Sequence, residues 1–302
     1  MGNFFGMSGA EPATNTETLR QRLDRGWALI DQGKLTEAYD LFQGVLNEEP
    51  RNGEALGGRG KVHKSSKRTE EAILDLEKAV QLVPTNPWYV TELADAYDDA
   101  GNREKSLETA RQAIRAGSKA PINHALIGRN HVDKKEWKEA EEELRLAINL
   151  SPGYAWGLQL MGDYYFGIEQ WGMACPFYRE AMRTNPPGTW APQRLSEIFL
   201  WKLDFPDFAL DVLRKWLEVA PKTSLALQRL TECYLRKKMP KDAVDAARRA
   251  VDVDPNCPWG RCYLAKALRL DGQIEPARAE VRRALEIDPN NEHAKWLQGD
   301  IK

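Results

Sequence analysis

Apolar residues recur along this chain at helical rather than strand spacing. Leu158, Met161 and Tyr165 fall at i, i+3 and i+7, which is one stripe of an α-helix. The segment 37–46 shows the same spacing and predicts another helix. Polar and glycine-containing segments such as 31–34 separate one helical pattern from the next. The chain is therefore predicted to be all-α.

Small residues mark a long period in this pattern. Eight of them follow one another with gaps of 34 residues and, once, 35. A stack of helical hairpins explains this period, because each hairpin needs one close approach between its two helices. A second small column precedes the first by 12 residues in seven repeats, and a column with seven prolines ends the hairpins, since proline cannot continue a helix. The first column consists of Ala38, Ala72, Ser106, Ala140, Ala174, Ala209, Ala243 and Ala277.

One repeat contains an extra residue. The two small columns are 13 residues apart between Ser196 and Ala209, instead of 12. This difference predicts a one-residue insertion within residues 200–208, a stretch that also contains Phe205 and Phe208.

The repeated unit resembles the tetratricopeptide repeat, whose signature is W-x2-L-G-x2-Y, then A-x3-F, then P. The resemblance covers residues 19–291 and implies an all-α, right-handed superhelical solenoid of eight helix-turn-helix repeats. The third repeat departs most, with Ser106, Ala110 and Ser118 at signature positions. The fifth repeat carries the signature as Leu158, Met161, Gly162, Tyr165, Ala174, Tyr178 and Pro186.

The period also predicts the domain organisation. Residues 1–18 are expected to be a disordered leader. Residues 292–302 are expected to form a short capping helix, with Trp296 and Ala294 covering the last repeat. The eight repeats between them are predicted at 19–52, 53–86, 87–120, 121–154, 155–188, 189–223, 224–257 and 258–291.

Charge and composition narrow the class of partner. The 302 residues include 43 basic and 45 acidic ones, for a net charge of −2, so the surface is mixed and does not favour nucleic-acid binding. No apolar run approaches the roughly 20 residues that span a bilayer, so no membrane insertion is expected. The N-terminus lacks the features of a secretory signal, which leads to the expectation of a cytoplasmic protein.

Catalytic and metal-binding signals are weak. His124 and His131 lie seven residues apart on one predicted helix, but in the repeat they occupy packing positions. The glycine-rich stretch 57–60 lacks the lysine of a phosphate-binding loop and falls inside a predicted helix. We therefore expect no catalytic residue, no metal and no cofactor, and the protein is predicted not to be an enzyme.

The resemblance implies that ligands bind a concave groove lined by the first helix of each repeat. Position 2 of the repeats is large and apolar from the third repeat onward, and four of these residues are tryptophans: Trp88, Trp156, Trp190 and Trp259. Two interpretations remain open: the indoles wedge between repeats, or they form an exposed aromatic ladder in the groove. A buried indole needs a partner for its N–H, which favours partial exposure.

Acidic residues accompany these tryptophans at position 9 of the central repeats. The combination predicts a protein-interaction scaffold or adaptor whose partner is a peptide or helical segment with basic and apolar residues. Aromatic burial would supply the affinity and charge the orientation. The candidate binding residues are Trp88, Asp95, Trp156, Asp163, Trp190, Glu197, Trp201, Glu232 and Trp259.

A second hypothesis is self-assembly. The array could form homo-oligomers through its ends or through the aromatic insertion at 200–208. By contrast, the lysine-, arginine- and asparagine-rich clamp by which some family members hold acidic peptides is not expected, because the central groove is acidic and position 9 never carries asparagine.

Overall fold

The computed structural model describes residues 17–184 and 190–301. Most of the predicted leader, residues 1–16, lies outside the described residues. Thr18, the last residue of that segment, is the N-cap of the first helix. Its hydroxyl accepts a hydrogen bond from the Gln21 N–H, and the Gln21 side chain accepts one from the Thr18 N–H, which together form a capping box.

Helices account for the regular structure of the described residues, and each predicted repeat supplies two of them. The first helix of a repeat begins at or within one residue of the predicted repeat start, as the period requires. The first helices are α1 (Leu19–Asp31), α3 (Gly53–Ser65), α5 (Pro87–Asp99), α7 (Pro121–Asp133), α9 (Ala155–Gly167), α11 (Trp190–Glu197), α13 (Ser224–Arg236) and α15 (Pro258–Leu270).

The second helix of the first repeat is slightly longer than the pattern predicts. The helix predicted over residues 37–46 extends by two residues at each end, and the Glu49 N–H beyond its last residue still donates to the Val45 carbonyl. The second helices are α2 (Leu35–Glu48), α4 (Thr69–Leu82), α6 (Arg103–Arg115), α8 (Trp137–Leu150), α10 (Trp171–Thr184), α12 (Pro206–Val219), α14 (Pro240–Val253) and α16 (Ile274–Ile287).

The chain divides into two compact units between Ile127 and Gly128, inside α7. The sequence predicts a single unbroken array, and this division falls just after the divergent third repeat. Each unit has a hydrophobic core of its own. The first unit is centred on residues such as Phe42 and Leu76, and the second includes Ala265 and Leu297.

The two small columns lie where the helices of one hairpin meet. A Cβ atom added to Gly26 would lie 2.7 Å from the Phe42 ring, and one added to Gly162 would lie 2.6 Å from the Tyr178 ring. Both aromatic rings are fully buried, so they cannot move aside. The small residue of the first helix therefore makes room for a large residue on the second helix.

Each hairpin turn contains one residue with left-handed backbone geometry. The position requires a positive φ, which glycine adopts at no steric cost and other residues adopt only with strain. Glycine occupies it in three repeats and other residues in five. The turn residues are Gly33, Lys67, Gly101, Lys135, Glu169, Asp204, Lys238 and Gly272.

The extra residue of the sixth repeat is accommodated as a π-helix over Ile198–Lys202, which continues directly from α11. A π-helical turn absorbs one additional residue without ending the helix. Asp204 then takes the left-handed turn position, and α12 begins at Pro206. The π-helix begins two residues before the predicted stretch 200–208 and overlaps its first three residues, and the hairpin is otherwise preserved.

A final helix, α17 (Glu292–Asp300), follows the last repeat as predicted. Ala294, Leu297 and Ile301 are buried in the core of the second unit. The expectation that Trp296 covers the last repeat is wrong, since this residue is 57% exposed. The buried stripe follows i, i+3 and i+7 from Ala294, and Trp296 falls outside it.

We predict opposite effects for two glycines of the first hairpin. Gly26→Ala should destabilise the protein by about 1–3 kcal/mol, because its methyl group would overlap the immobile Phe42 ring. Gly44→Ala should stabilise it by about 1 kcal/mol through helix propensity, since no described atom lies within 4 Å of its Cβ position. Urea unfolding followed by far-ultraviolet circular dichroism measures both. Equal shifts for the two variants would contradict this account of the small columns.

Candidate binding surface on the first helices

The candidate residues lie on first helices or on the π-helix, and they divide between the two units. Two belong to the first unit and seven to the second. Trp190 and Asp163 contact each other directly, whereas the others make separate local contacts. The placements are Trp88 and Asp95 on α5, Trp156 and Asp163 on α9, Trp190 and Glu197 on α11, Trp201 on the π-helix, Glu232 on α13 and Trp259 on α15.

The four position-2 tryptophans differ in exposure. Trp190 and Trp259 are 39% and 51% exposed, whereas Trp88 and Trp156 are half-buried. Trp201 is 43% exposed. Neither interpretation of the tryptophan column therefore holds for every repeat: the exposed-ladder interpretation describes Trp190 and Trp259 better than it describes Trp88 and Trp156.

Asp163 links three helices rather than facing solvent. Its carboxylate accepts hydrogen bonds from the Tyr178 hydroxyl at 2.7 Å and from the Trp190 Nε1–H at 3.0 Å. Burial raises the pKa of the Asp163 carboxyl, while the hydrogen bonds from Tyr178 and Trp190 oppose that rise. Asp163 therefore orients the exposed indole of Trp190 and offers little surface to a partner.

Arg194 lies between two aromatic rings. Its guanidinium carbon is 4.5 Å from the centre of the Phe166 ring and 4.6 Å from that of Trp190, distances typical of cation–π contacts. Its Nη1 also donates a hydrogen bond of 3.2 Å to Glu197. The carboxylate of Glu197 is thus paired within the chain, and the Trp190 indole is held by contacts with both Arg194 and Asp163.

Trp201 packs over a second arginine. The guanidinium of Arg229 lies 5.3 Å from the Trp201 ring centre and is almost completely buried. Arg229 donates hydrogen bonds to the Ser196 hydroxyl at 2.7 Å and to the Gln193 carbonyl, and burial lowers the pKa of its guanidinium. One face of the Trp201 indole therefore packs against a guanidinium whose position is fixed by hydrogen bonds.

The remaining residues of the second unit also have internal partners. Glu232 accepts a 2.9 Å hydrogen bond from Arg236 on the same helix. Arg129 lies 5.6 Å from the Trp156 ring centre. Trp259 stacks on His293 with ring centres 5.4 Å apart, and His293 stacks on Trp296 at 5.8 Å.

In the first unit, Asp95 forms an ion pair with Lys64. Lys64 and Lys61 also donate to Glu92, at 2.9 and 2.7 Å. Both lysines are therefore paired with neighbouring carboxylates. Trp88 packs edge-on against Trp27, with ring centres 5.1 Å apart.

Sequence reasoning missed the arginines that support the tryptophans. Arg194 and Arg229 occupy the same position in consecutive repeats, and Arg194 lies four residues after Trp190 on one helix. Residues at i and i+4 are neighbours on a helix face, so this spacing was a usable signal for the Trp190 contact. The Arg229–Trp201 contact joins two repeats and leaves no comparable local signal.

Within 17–184 and 190–301, no group of three or more histidine, cysteine or acidic side chains is arranged to hold a metal ion. In the same ranges, no helix combines the length and apolarity that crossing a membrane requires.

A chain built from 34-residue helical hairpins, with aromatic and charged side chains on the first helices, defines a helical-repeat protein. The model of the tetratricopeptide repeat family matches residues 23–87, 91–155 and 234–292, which together make up more than half of the chain. The chain belongs to the tetratricopeptide repeat family. Its class is thus that of protein-interaction scaffolds.

Individual relatives are distant. The chain is similar to the cellulose synthase operon protein C of Pseudomonas fluorescens (strain SBW25), with 25% identity over 91% of this chain and 20% of that protein. It is also similar to the anaphase-promoting complex subunit 3 of Schizosaccharomyces pombe, with 23% identity over 96% of this chain and 44% of that protein. The chain thus spans less than half the length of these relatives.

The fold also matches a solved structure. The crystal structure of YrrB, a tetratricopeptide repeat protein with an unusual peptide-binding site, superposes with a TM-score of 0.55 and 18% identity. The match covers 64% of this chain and 99% of YrrB. At this identity the similarity concerns the fold.

We predict that Asp163→Ala is destabilising and Glu197→Ala is not. The first change leaves the buried Tyr178 hydroxyl and the Trp190 N–H without their acceptor, at a cost of about 1–3 kcal/mol. The second removes a partly exposed ion pair with Arg194, for which about 0–1 kcal/mol is expected. Thermal unfolding of both variants provides the measurement, and a larger loss for Glu197→Ala would overturn the structural role given to Asp163.

Proposed function

We propose that the chain is a scaffold that binds a peptide or helical segment of a protein partner on its first helices. The observation that carries this proposal is the exposure of Trp190, Trp201 and Trp259. Indoles are large apolar groups that contribute strongly to binding energy when a partner covers them. We propose no enzymatic activity.

The contacts that fix the orientation of the exposed indoles favour binding. Arg194 and Asp163 fix the ring of Trp190, and Arg229 lies against one face of Trp201. A side chain that is already held in one position loses little conformational entropy on association. These aromatic residues are therefore suited to anchor apolar side chains of a partner.

The acidic residues contribute in a different way. Asp95, Asp163, Glu197 and Glu232 all have hydrogen-bonding or ion-pairing partners within the chain. A basic residue of the partner would have to compete with these groups, so the acids orient a ligand more than they add affinity. We propose that the partner segment carries apolar anchors flanked by basic residues.

The comparisons support this class of function. YrrB has a peptide-binding site, and the fission yeast relative is a subunit of a multiprotein complex. YrrB shares the fold of this chain, and the Schizosaccharomyces pombe protein is similar to it in sequence. We propose by analogy that this chain, too, acts through contacts with other proteins.

We predict that Trp201→Ala/Trp259→Ala abolishes peptide selection. The full chain would be immobilised and used to select from a random peptide-display library, and enrichment of peptides with apolar and basic residues is expected. The double variant should bind the selected peptides about 1,000-fold more weakly, since each aromatic hot spot contributes about 2 kcal/mol, or about 30-fold, by itself.

The matched control is Leu146→Ala/Val253→Ala, which changes two exposed apolar residues on second helices of the same unit. Its peptide affinities should equal those of the wild type. If both double variants retain affinity while the folded content is unchanged, the first-helix surface is not the binding site.

A second candidate function is assembly through the aromatic insertion. Phe205 and Phe208 are 50% and 52% exposed, although phenylalanine is usually buried. They pack against each other, and Phe208 stacks on Phe199. A pocket of about 550 Å³ adjoins them and is lined in part by Cys175 and Leu203. An apolar surface of this kind is typical of an interaction site.

Phe205→Ser/Phe208→Ser tests self-assembly. If the insertion mediates it, the wild type should sediment faster as its concentration rises, and the variant should remain a monomer at all concentrations. Removing two exposed phenyl rings deletes apolar area that association would bury. Sedimentation velocity provides the measurement, and a wild type that stays monomeric at all concentrations would contradict this candidate.

A further inference from the structure

A pocket of about 480 Å³ lies on the first helices of the first unit. Its volume falls within the roughly 300–1,000 Å³ of ordinary ligand sites. Three of its six lining residues are aromatic, and the other three are polar or charged, among them one carboxylate. The pocket is lined by Arg20, Trp27, Glu54, Asn86, Trp88 and Tyr89.

The rings are arranged as the walls of a cage. The planes of Trp27 and Trp88 are perpendicular, at 90°, with centres 5.1 Å apart, and Tyr89 meets Trp88 at 78° and 5.6 Å. Gly57 allows this close packing, because a Cβ there would lie 2.7 Å from the Tyr89 ring. These are edge-to-face contacts, and an indole face that borders the pocket attracts a cation.

Glu54 supplies the negative charge of the cage. Its Oε1 accepts a 3.2 Å hydrogen bond from the Trp27 Nε1–H, and its Oε2 accepts a 2.9 Å hydrogen bond from Arg20 Nη1. Burial raises the pKa of Tyr89, and the nearby Glu54 carboxylate raises it further. An aromatic cage beside a carboxylate has the composition of a site for an organic cation.

The cation that pairs with Glu54 at this pocket is Arg20 of the chain itself, and this ion pair is exposed to solvent. The side chain of Arg20 is 65% exposed, whereas Lys64 and Arg194, which pair with other acids of the first helices, are 13% and 25% exposed. Arg20 also binds Asp24 through two hydrogen bonds, so it keeps a partner if it leaves Glu54. Exposed ion pairs contribute little free energy, and Arg20 is therefore readily displaced.

We propose that this pocket binds the guanidinium group of an arginine side chain in a peptide ligand, in place of Arg20. A planar guanidinium stacks on an indole face and donates two hydrogen bonds to one carboxylate, which an ammonium group does less well. Arg20 itself shows that Glu54 accepts a guanidinium here. The inference rests on the proposed function to the extent that the ligand is part of a bound peptide.

The test uses the full chain and ligand-observed nuclear magnetic resonance. The probe is N-acetyl-glycyl-arginyl-glycinamide, and its citrulline counterpart is a neutral ligand of nearly the same shape. We expect saturation transfer to the arginine peptide and a loss of about tenfold or more in affinity for the citrulline peptide, the effect of removing a hydrogen-bonded charge. Choline chloride serves as an organic cation whose charged quaternary ammonium group carries no hydrogen-bond donor, and it should bind more weakly than the arginine peptide.

Two variants locate the binding site. Glu54→Gln keeps an acceptor for the Trp27 N–H but removes the charge, and it should weaken arginine-peptide binding about tenfold. Arg20→Ala removes the internal competitor and should strengthen binding by about two- to fivefold, the effect of one exposed ion pair. Glu104→Gln, on the exposed surface of α6, is the matched control and should leave binding unchanged.

Three results would overturn the inference: no binding of the arginine peptide by either wild type or Arg20→Ala, equal affinity for the citrulline peptide, or unchanged affinity in Glu54→Gln. Choline binding as strong as that of the arginine peptide would assign the cage to quaternary ammonium groups and likewise refute a guanidinium site. None of these results depends on Trp201 or Trp259. Peptide selection at those residues would still test the proposed function separately.

Discussion

The structure depends on one contact that is repeated in every hairpin, the close approach of its two helices at the small columns. Where the first helix has glycine, as at Gly26 and Gly162, a large buried ring from the second helix fills the space. Where it has a larger residue, as at Thr231, the second helix presents a small one, Ala247. The residue sizes on the two helices are thus complementary in these hairpins, which keeps the contact filled. Because hairpins of one shape can stack, the first helices come to lie side by side within a unit.

Most of the fold could be predicted because it follows from local chemistry. The 34-residue period, the proline column and the apolar spacing all act within a hairpin, so they predict where helices begin and end. The π-helix at Ile198–Lys202 could not be predicted in this way. An extra residue can either lengthen a turn or form a bulge in a helix, and packing determines which of the two occurs. Trp296 was misassigned for a related reason. Its size suggested burial, but the stripe through Ala294 and Leu297 determines which side of α17 faces the core.

The sequence predicted where the candidate residues lie on the helices, but it predicted less well which of them are exposed and which acids are paired. Aligning the repeats places Trp190 and Trp259 on first helices, but the alignment does not show whether an indole is exposed. That depends on neighbours from other elements, such as Tyr178, which shares Asp163 with Trp190, and His293, which stacks on Trp259. The electrostatic character of the surface also depends on residues from other elements. A column of acids suggested a negative groove, whereas the folded chain brings a hydrogen-bond donor or cation to each of the candidate acids.

This internal pairing changes how such a surface recognises a ligand. An acid whose cation is half-buried, as Asp95 is paired with Lys64, can bind a new cation only if a desolvated pair is broken first. An acid whose cation is exposed, as Glu54 is paired with Arg20, exchanges partners at little cost. Net charge along the first helices therefore predicts recognition poorly. For the binding proposed above, the exposure of each acid's own counter-charge is the better guide to where a basic residue would bind, because it measures what that residue must displace.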